Sequence, residues 1–265
     1  MSSQNRGKTA LITGSSSGIG FELAKIFAQE GYNLVLVARS EKTLQQQAEE
    51  LNQKHGVSVK IIVKDLARPG AAQEVYHELE QAGIKIAVLV NNAGFATYGK
   101  FTEIELNTEV ELMELNMVTL TALSKLFLPG MIERHDGKIL NVASTASFQP
   151  GPLMAVYYAS KAFVLSLSEA LASELEGTGV TVTALCPGPT QTGFQQRAAM
   201  EESRLVNGRK IMDSATVARI GYEAMQKGKT VVIPGLRNLV MAESVRFTPR
   251  KLVTRIVKNM QARSH

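Results

Sequence analysis

Seven short apolar runs recur along the chain, at residues 9–12, 34–37, 59–63, 86–90, 138–142, 180–185 and 231–233. They are rich in Val, Ile and Leu, the pattern of strands buried on both faces. Between them lie stretches at 21–30, 41–55, 71–82, 109–133, 157–176 and 216–227, each long enough to be a helix crossing back over a sheet. Parallel strands are rejoined only by such crossovers, and crossovers are right-handed, so helices must cover both faces. The expected fold is a doubly wound α/β sheet of about seven parallel strands, with ligands at the strands' carboxyl ends. A length of 265 residues fits a single domain, 1–265, and no linker or internal repeat divides it.

With 45% hydrophobic and 20% charged residues, the composition is that of a globular chain rather than a disordered or membrane-spanning one. Residues 1–8 are polar and hold no apolar run, so neither a secretory leader nor an anchor is read there, and a cytoplasmic location is expected. The lone cysteine, Cys186, closes an apolar run and reads as a buried thiol rather than a nucleophile. His55, His77, His135 and His265 are scattered without the partners a metal site needs, so no metal is expected. The net charge of +5 comes without the motifs of a nucleic-acid reader, which leaves anionic small molecules as the partners it suits.

Thr13-Gly14-Ser15-Ser16-Ser17-Gly18-Ile19-Gly20 follows the first run directly and opens the first helical stretch. Glycines there allow a tight turn and close approach to a ligand, while backbone N–H groups and the positive helix end face a pyrophosphate. Taken alone, the cluster would also serve as a plain strand-to-helix turn. The second run ends at Ala38-Arg39-Ser40, where a chain that binds NAD would place an acid against the ribose 2′-hydroxyl. No acid stands there. Arg39 offers a planar cation suited to a 2′-phosphate, with Ser15 and Ser40 as added hydroxyls, which points to NADP(H) rather than NAD.

Tyr157 and Lys161 stand four residues apart and so share one helix face, whereas Tyr158 has Ala162 at that spacing. A free phenol ionises near ~10, and an ammonium beside it is expected to lower that value and fit Tyr157 for proton transfer. The fifth run leads into Ala143-Ser144-Thr145-Ala146-Ser147, where Ser144 or Ser147 can hold a substrate oxygen beside the phenol. Asn116 lies in a helical stretch otherwise apolar toward the sheet, unusual company for an amide.

Together these segments resemble the short-chain dehydrogenase/reductase family, with its Thr-Gly-x-x-x-Gly-x-Gly turn and its Tyr-x-x-x-Lys pair. The resemblance runs over residues 9–192 and implies a Rossmann-type sheet. It implies that Gly14, Ser17, Gly18, Ile19 and Gly20 cradle the cofactor, that Asp65 and Leu66 meet adenine, and that Asn92, Ala93 and Gly94 border the adenosine half. It selects Ser144 over Ser147 by spacing and lets Lys161 bond the nicotinamide ribose. It gives Asn116 a bent helix and a water linking Lys161 to solvent. Pro187, Gly188, Thr190 and Thr192 match the family's segment beside nicotinamide. A homodimer or homotetramer is also implied, for which the small-residue helix 157–172 offers a packing face.

The expected activity is hydride transfer between NADPH and a carbonyl or secondary alcohol. Ser144 would position the oxygen, Tyr157 act as acid/base, Lys161 tune it and Asn116 complete a proton path, with NADP preference favouring reduction. Two other classes fit part of the pattern: a non-catalytic NADP-binding regulatory or scaffold protein, and a sugar-nucleotide epimerase or dehydratase. The first would lack some of those four residues; the second more often shows Gly-x-x-Gly-x-x-Gly. Residues 193–213 read as a substrate cover, with Phe194, Met200, Leu205, Val206, Ile211 and Met212 as candidate pocket residues. The tail, about 249–263, is a basic amphipathic helix, with Leu252, Val253, Ile256, Val257 and Met260 on one side and Arg250, Lys251, Arg255, Lys258 and Arg263 around them. Docking on its own domain or on a second subunit is expected, and a membrane-surface reductase of lipid-like ketones is the alternative.

Overall fold

The computed structural model describes residues 5–191 and 211–261. All seven apolar runs become strands: β1 (Thr9–Thr13), β2 (Asn33–Ala38), β3 (Val59–Val63), β4 (Ile86–Asn91), β5 (Gly137–Val142), β6 (Val180–Leu185) and, after the two-residue strands β7 (Thr190–Gln191) and β8 (Met212–Asp213), β9 (Val231–Val232). The main sheet runs β3-β2-β1-β4-β5-β6-β9, and every neighbouring pair in it is parallel. The helices in chain order are α1 (Gly18–Gln29), α2 (Glu41–His55), α3 (Ala71–Gln81), α4 (Leu106–Met113), α5 (Leu120–Glu133), α6 (Ala155–Glu174), α7 (Ser214–Gln226), α8 (Leu236–Ser244) and α9 (Arg250–Gln261).

Both faces of the sheet are covered, and side chains still alternate between them. Ala10 and Ile12 of β1, with Leu34 and Leu36 of β2, join a core shared with α1, α2 and α7. Leu11, Val35 and Val37 turn the other way, into a core shared with α3 and α5. Phe27 of α1 ties the first layer together: its fully buried ring packs edge-on between Tyr32 and Tyr222 of α7, with centroids 5.2 and 5.1 Å apart. The 28 residues from Leu106 to Glu133 are long and apolar enough to cross a membrane. Leu123, Phe127 and Met131 on it pack into the core over the sheet.

From β1 the chain winds outward to β2 and β3, then returns to start β4 on β1's other side. The two halves diverge there, which opens a crevice at the carboxyl ends of β1 and β4. The sequence pattern did not reveal α8 or the β7–β8 pair, whose elements are too short to show a period.

Candidate active site

Beyond β1 the backbone turns through Gly14 (φ +63°) and Gly18 (φ +55°), left-handed conformations that a side chain would strain. Ser17, at the N-cap of α1, makes no side-chain cap bond, and the first helical turn holds no acid. The unsatisfied N–H groups and the positive helix end therefore face the crevice, where Gly14, Ser16, Ser17, Gly18 and Ile19 form the wall. Asn92 holds the turn in place: its amide nitrogen donates to the carbonyls of Thr13 (2.9 Å) and Gly14 (3.0 Å). The Thr13 hydroxyl in turn accepts the N–H groups of Asn92 and Ala93, both at 3.0 Å.

Two residues of the turn lie away from the ligand side. Ser15 is fully buried and off the cavity wall, its hydroxyl finding no partner among the described residues, so Ser16 takes the wall position that the sequence suggested for Ser15. Gly20 has no room for a Cβ, which would come within 2.5 Å of both the Asn92 amide and the Gly14 carbonyl; its role is close packing of helix on strand.

Arg39, Ser40, Asp65 and Leu66 line the outer end of the same cavity. Among the described residues no carboxylate pairs with Arg39, although Lys64 nearby is paired with Glu74 at 2.8 Å. Asp65 is held by accepting the Ala67 N–H at 3.0 Å. An uncapped helix start, an unpaired guanidinium and an adjacent carboxylate fit the pyrophosphate, 2′-phosphate and adenine of a nicotinamide dinucleotide. The cavity holds about 1160 Å³, above the roughly 300–1,000 Å³ of a single-ligand pocket. It has room for a second molecule.

At the inner end α6 presents Tyr157 and Lys161 one turn apart, both buried. The Lys161 ammonium lies 5.8 Å from the Tyr157 ring centre and donates to the Val142 carbonyl at 2.8 Å. Ser144 caps the short helical turn Thr145–Phe148 by accepting the Ala146 N–H at 3.0 Å, and its hydroxyl is hydrogen-bonded to Tyr157. Ser147 is committed elsewhere, donating to the Lys161 carbonyl at 2.7 Å.

The electrostatics depart from the sequence expectation. Burial pushes the Tyr157 phenol up to about 12, with the Ser144 hydrogen bond opposing the shift. Burial likewise brings Lys161 down to about 8. The expectation that the ammonium lowers the phenol fails because both groups are desolvated and the ammonium is turned to a backbone carbonyl. In this state Tyr157 is a neutral acid and Lys161 a cation at neutral pH. Cys186 is fully buried, its thiol raised to about 12 by burial.

Asn116 sits in a π-helical turn, Glu114–Thr119, that interrupts the long helix between α4 and α5. Its side chain is taken up by protein partners: it accepts the Phe95 N–H (3.2 Å) and donates to the Phe95 carbonyl (3.0 Å) and the Ser160 hydroxyl (3.1 Å). Asn116 therefore lies behind the cavity, clamping the segment after β4 to α6, rather than on its wall.

Ala93, Gly94, Pro187, Gly188 and Thr190 line the cavity, as do Ile211 and Met212. Thr192, Phe194, Met200, Leu205, Val206 and Arg263 lie outside the described residues. No signal in the sequence places α8 and α9 on the pocket, yet both line it. Leu236, Arg237, Asn238 and Met241 of α8 join Val257 and Met260 of α9 on its wall, with Val257 in the same buried cluster as Met154. The amphipathic period of α9 is legible in the sequence; the place where its apolar side lands is not.

A doubly wound sheet whose switch-point crevice ends at a buried phenol and ammonium is the frame of a dinucleotide-dependent oxidoreductase. Residues 8–203 match the family model for short chain dehydrogenases. Over 187 residues, 68% of this chain, it is 36% identical to a very-long-chain 3-oxoacyl-CoA reductase of Anas platyrhynchos, matching 59% of that protein. The chain spans 59–66% of the length of the first curated relatives it matches. A short-chain dehydrogenase from Sphingobium yanoikuyae, solved with NADPH, superposes with a TM-score of 0.83 at 33% identity, covering 96% of this chain and 98% of that one. The bulky-bulky ketone specific alcohol dehydrogenase of Comamonas testosteroni does so with 0.77 at 30% identity, covering 91% and 92%. The chain belongs to the short-chain dehydrogenase family.

Proposed function

We propose that the protein reduces ketones with large apolar substituents, using NADPH. One observation carries the reading: a single cavity joins the cationic Arg39 at one end to Ser144, Tyr157 and Lys161 at the other. Gly14, Ser16, Ser17, Gly18, Ile19 and Arg39 would hold the dinucleotide, which would supply the hydride for the carbonyl carbon. The chain's own residues manage the oxygen. The Ser144 hydroxyl holds it, and Tyr157, kept neutral by burial, gives it a proton as negative charge develops. Lys161, a cation at neutral pH with its ammonium 5.8 Å from the phenol ring centre, is the proton source that restores the phenol afterwards. Asn116 serves that path by fixing the backbone around Phe95 and Ser160.

Arg39 favours the extra phosphate of NADPH, and the Sphingobium structure with NADPH supports the same choice. The substrate class rests on Phe95, Ile104, Leu115, Met154 and Met260, which make the inner walls apolar. The Comamonas enzyme, specific for bulky-bulky ketones, and the Anas very-long-chain 3-oxoacyl-CoA reductase support carbonyls flanked by extended apolar groups. As in many relatives of this family, the working unit is proposed to be a homo-oligomer.

The test is NADPH oxidation over a panel running from cyclohexanone to diaryl ketones and long-chain 3-oxoacyl thioesters, with wild type beside Tyr157→Phe. Turnover should rise with substrate bulk and fall about 10²–10⁴-fold in the variant. Turnover indifferent to the substitution would remove the mechanism. NADPH binding with no turnover of any carbonyl would favour a non-catalytic binder instead.

A further inference from the structure

The stretch from Leu236 to Gln261 covers the substrate end of the cavity from outside, with Leu236, Arg237, Met241, Val257 and Met260 on its wall. Its inner side is anchored to the chain's own domain: Val253 and Val257 are buried in the cluster that holds Tyr157 and Tyr158. The outer side is unlike a solvated surface. Of 13 large apolar side chains exposed among the described residues, six fall here: Leu236, Leu239, Val240, Phe247, Leu252 and Ile256. Phe247 is 88% exposed and Leu236 77%. Single exposed apolar residues are ordinary, but a concentration of this kind marks a contact surface.

The charge on this stretch has one sign. Arg237, Arg246, Arg250, Lys251, Arg255 and Lys258 are all exposed, against one acid, Glu243, which lies 3.4 Å from Arg246. α9 itself carries no acid. On its outward face Lys251, Leu252, Arg255 and Ile256 alternate as cation and hydrocarbon.

We propose that this face docks on a bilayer surface rich in anionic phospholipid, with Phe247, Leu252 and Ile256 entering the headgroup boundary and Lys251, Arg255 and Lys258 meeting the phosphates. Charge decides against a second copy as the occupant: a two-fold contact would set this cationic face against itself. An anionic membrane neutralises the cations and receives the apolar side chains together. The same stretch roofs the substrate pocket, so docking sets the pocket beside a phase into which apolar ketones partition.

The experiment is flotation of the full chain with phosphatidylcholine vesicles, with or without about 30% phosphatidylglycerol, at low salt and at about 0.5 M salt. Two variants are compared, Lys251→Glu/Arg255→Glu/Lys258→Glu and Leu252→Ser/Ile256→Ser; none of these residues lines the cavity. Wild type should float with the anionic vesicles and not with the neutral ones. Charge reversal should cut partitioning about tenfold or more, and the serine variant should lose the binding that survives high salt. Absence of flotation overturns the proposal, as does flotation indifferent to either variant or to lipid charge. Sedimentation showing a dimer that the same variants dissociate would assign the face to a second copy. Flotation requires no turnover, so its result stands apart from the reductase reading; a water-soluble ketone reduced equally by all three proteins checks that the variants are folded.

Discussion

Gln261 and Tyr158, far apart in the chain, are hydrogen-bonded in its interior: the Gln261 amide nitrogen donates to the Tyr158 phenol oxygen at 2.7 Å. Gln261 is fully buried at the end of α9, and its backbone carbonyl accepts the Tyr98 hydroxyl. The Tyr158 ring packs edge-on against Tyr157, with centroids 6.0 Å apart. The tail is thereby fastened to the immediate neighbour of the proton donor.

Replacing Gln261 by Leu keeps the volume but orphans a buried hydroxyl, at a cost of about 1–3 kcal/mol. Hydrogen exchange of the α9 amides should quicken, and the KM for bulky ketones should rise while kcat for a small ketone holds. In Gln261→Leu/Tyr158→Phe both partners are apolar, so the combined loss should be clearly smaller than the sum of the single losses. Additive losses would mean that the pair is not coupled.

Arg39→Asp exchanges a phosphate-binding fork for an acceptor suited to a ribose hydroxyl. The kcat/KM for NADPH should fall about 10- to 100-fold, the worth of a charge-assisted contact of ~1.5–3 kcal/mol, while that for NADH rises. Steady-state kinetics with both cofactors reads this directly, and an unchanged NADPH:NADH ratio would free Arg39 of the role.

The pH profile follows Lys161. The kcat/KM for NADPH reports groups of the free enzyme, and the active form has Lys161 charged, so the rate should be level below pH 8 and decline above it as the residue, lowered to about 8, loses its proton. Tyr157, raised to about 12, adds no break in that range. Stability runs the opposite way for this lysine. Its folded value lies below its ordinary 10.5, so the unfolded chain binds more protons between the two values and the native state gains as pH rises through that window. Urea melts of wild type against Lys161→Met from pH 7 to 10.5 should converge at the alkaline end; a difference constant across that range would contradict the assignment.

Phe27→Ala removes a ring locked between Tyr32 and Tyr222 in a fully buried position. Unfolding free energy should drop by about 3–5 kcal/mol, with Km for NADPH little altered in the protein that remains folded. A loss under about 1 kcal/mol would show that the α1–α7 layer repacks freely.

The sheet was legible in the sequence because its central strands are buried on both faces and so read as apolar runs, and the edge strands keep enough of the same pattern to follow. The boundaries of β3 and β6 fall where those runs do. The glycine turn and the Tyr157–Lys161 spacing were legible because they are local: a turn and a helical period fix them. What stayed hidden depends on contacts between distant segments. Asn116 advertised itself as an amide in apolar company, yet its bonds to Phe95 and Ser160 follow only from tertiary packing. The phenol's ionisation was misjudged for the same reason, since sequence shows a neighbouring charge but not the shared desolvation that outweighs it.

Asn92 grips the glycine turn at one end of a short span of backbone, and Asn116 grips Phe95 at its other end and reaches Ser160 on α6. Residues 92–95 therefore act as a ruler laid between the two halves of the chemistry, with an amide clip at each end. None of those amide bonds is made by α8 or α9, so the spacing has a fastening of its own, apart from the outer helices that close the substrate pocket.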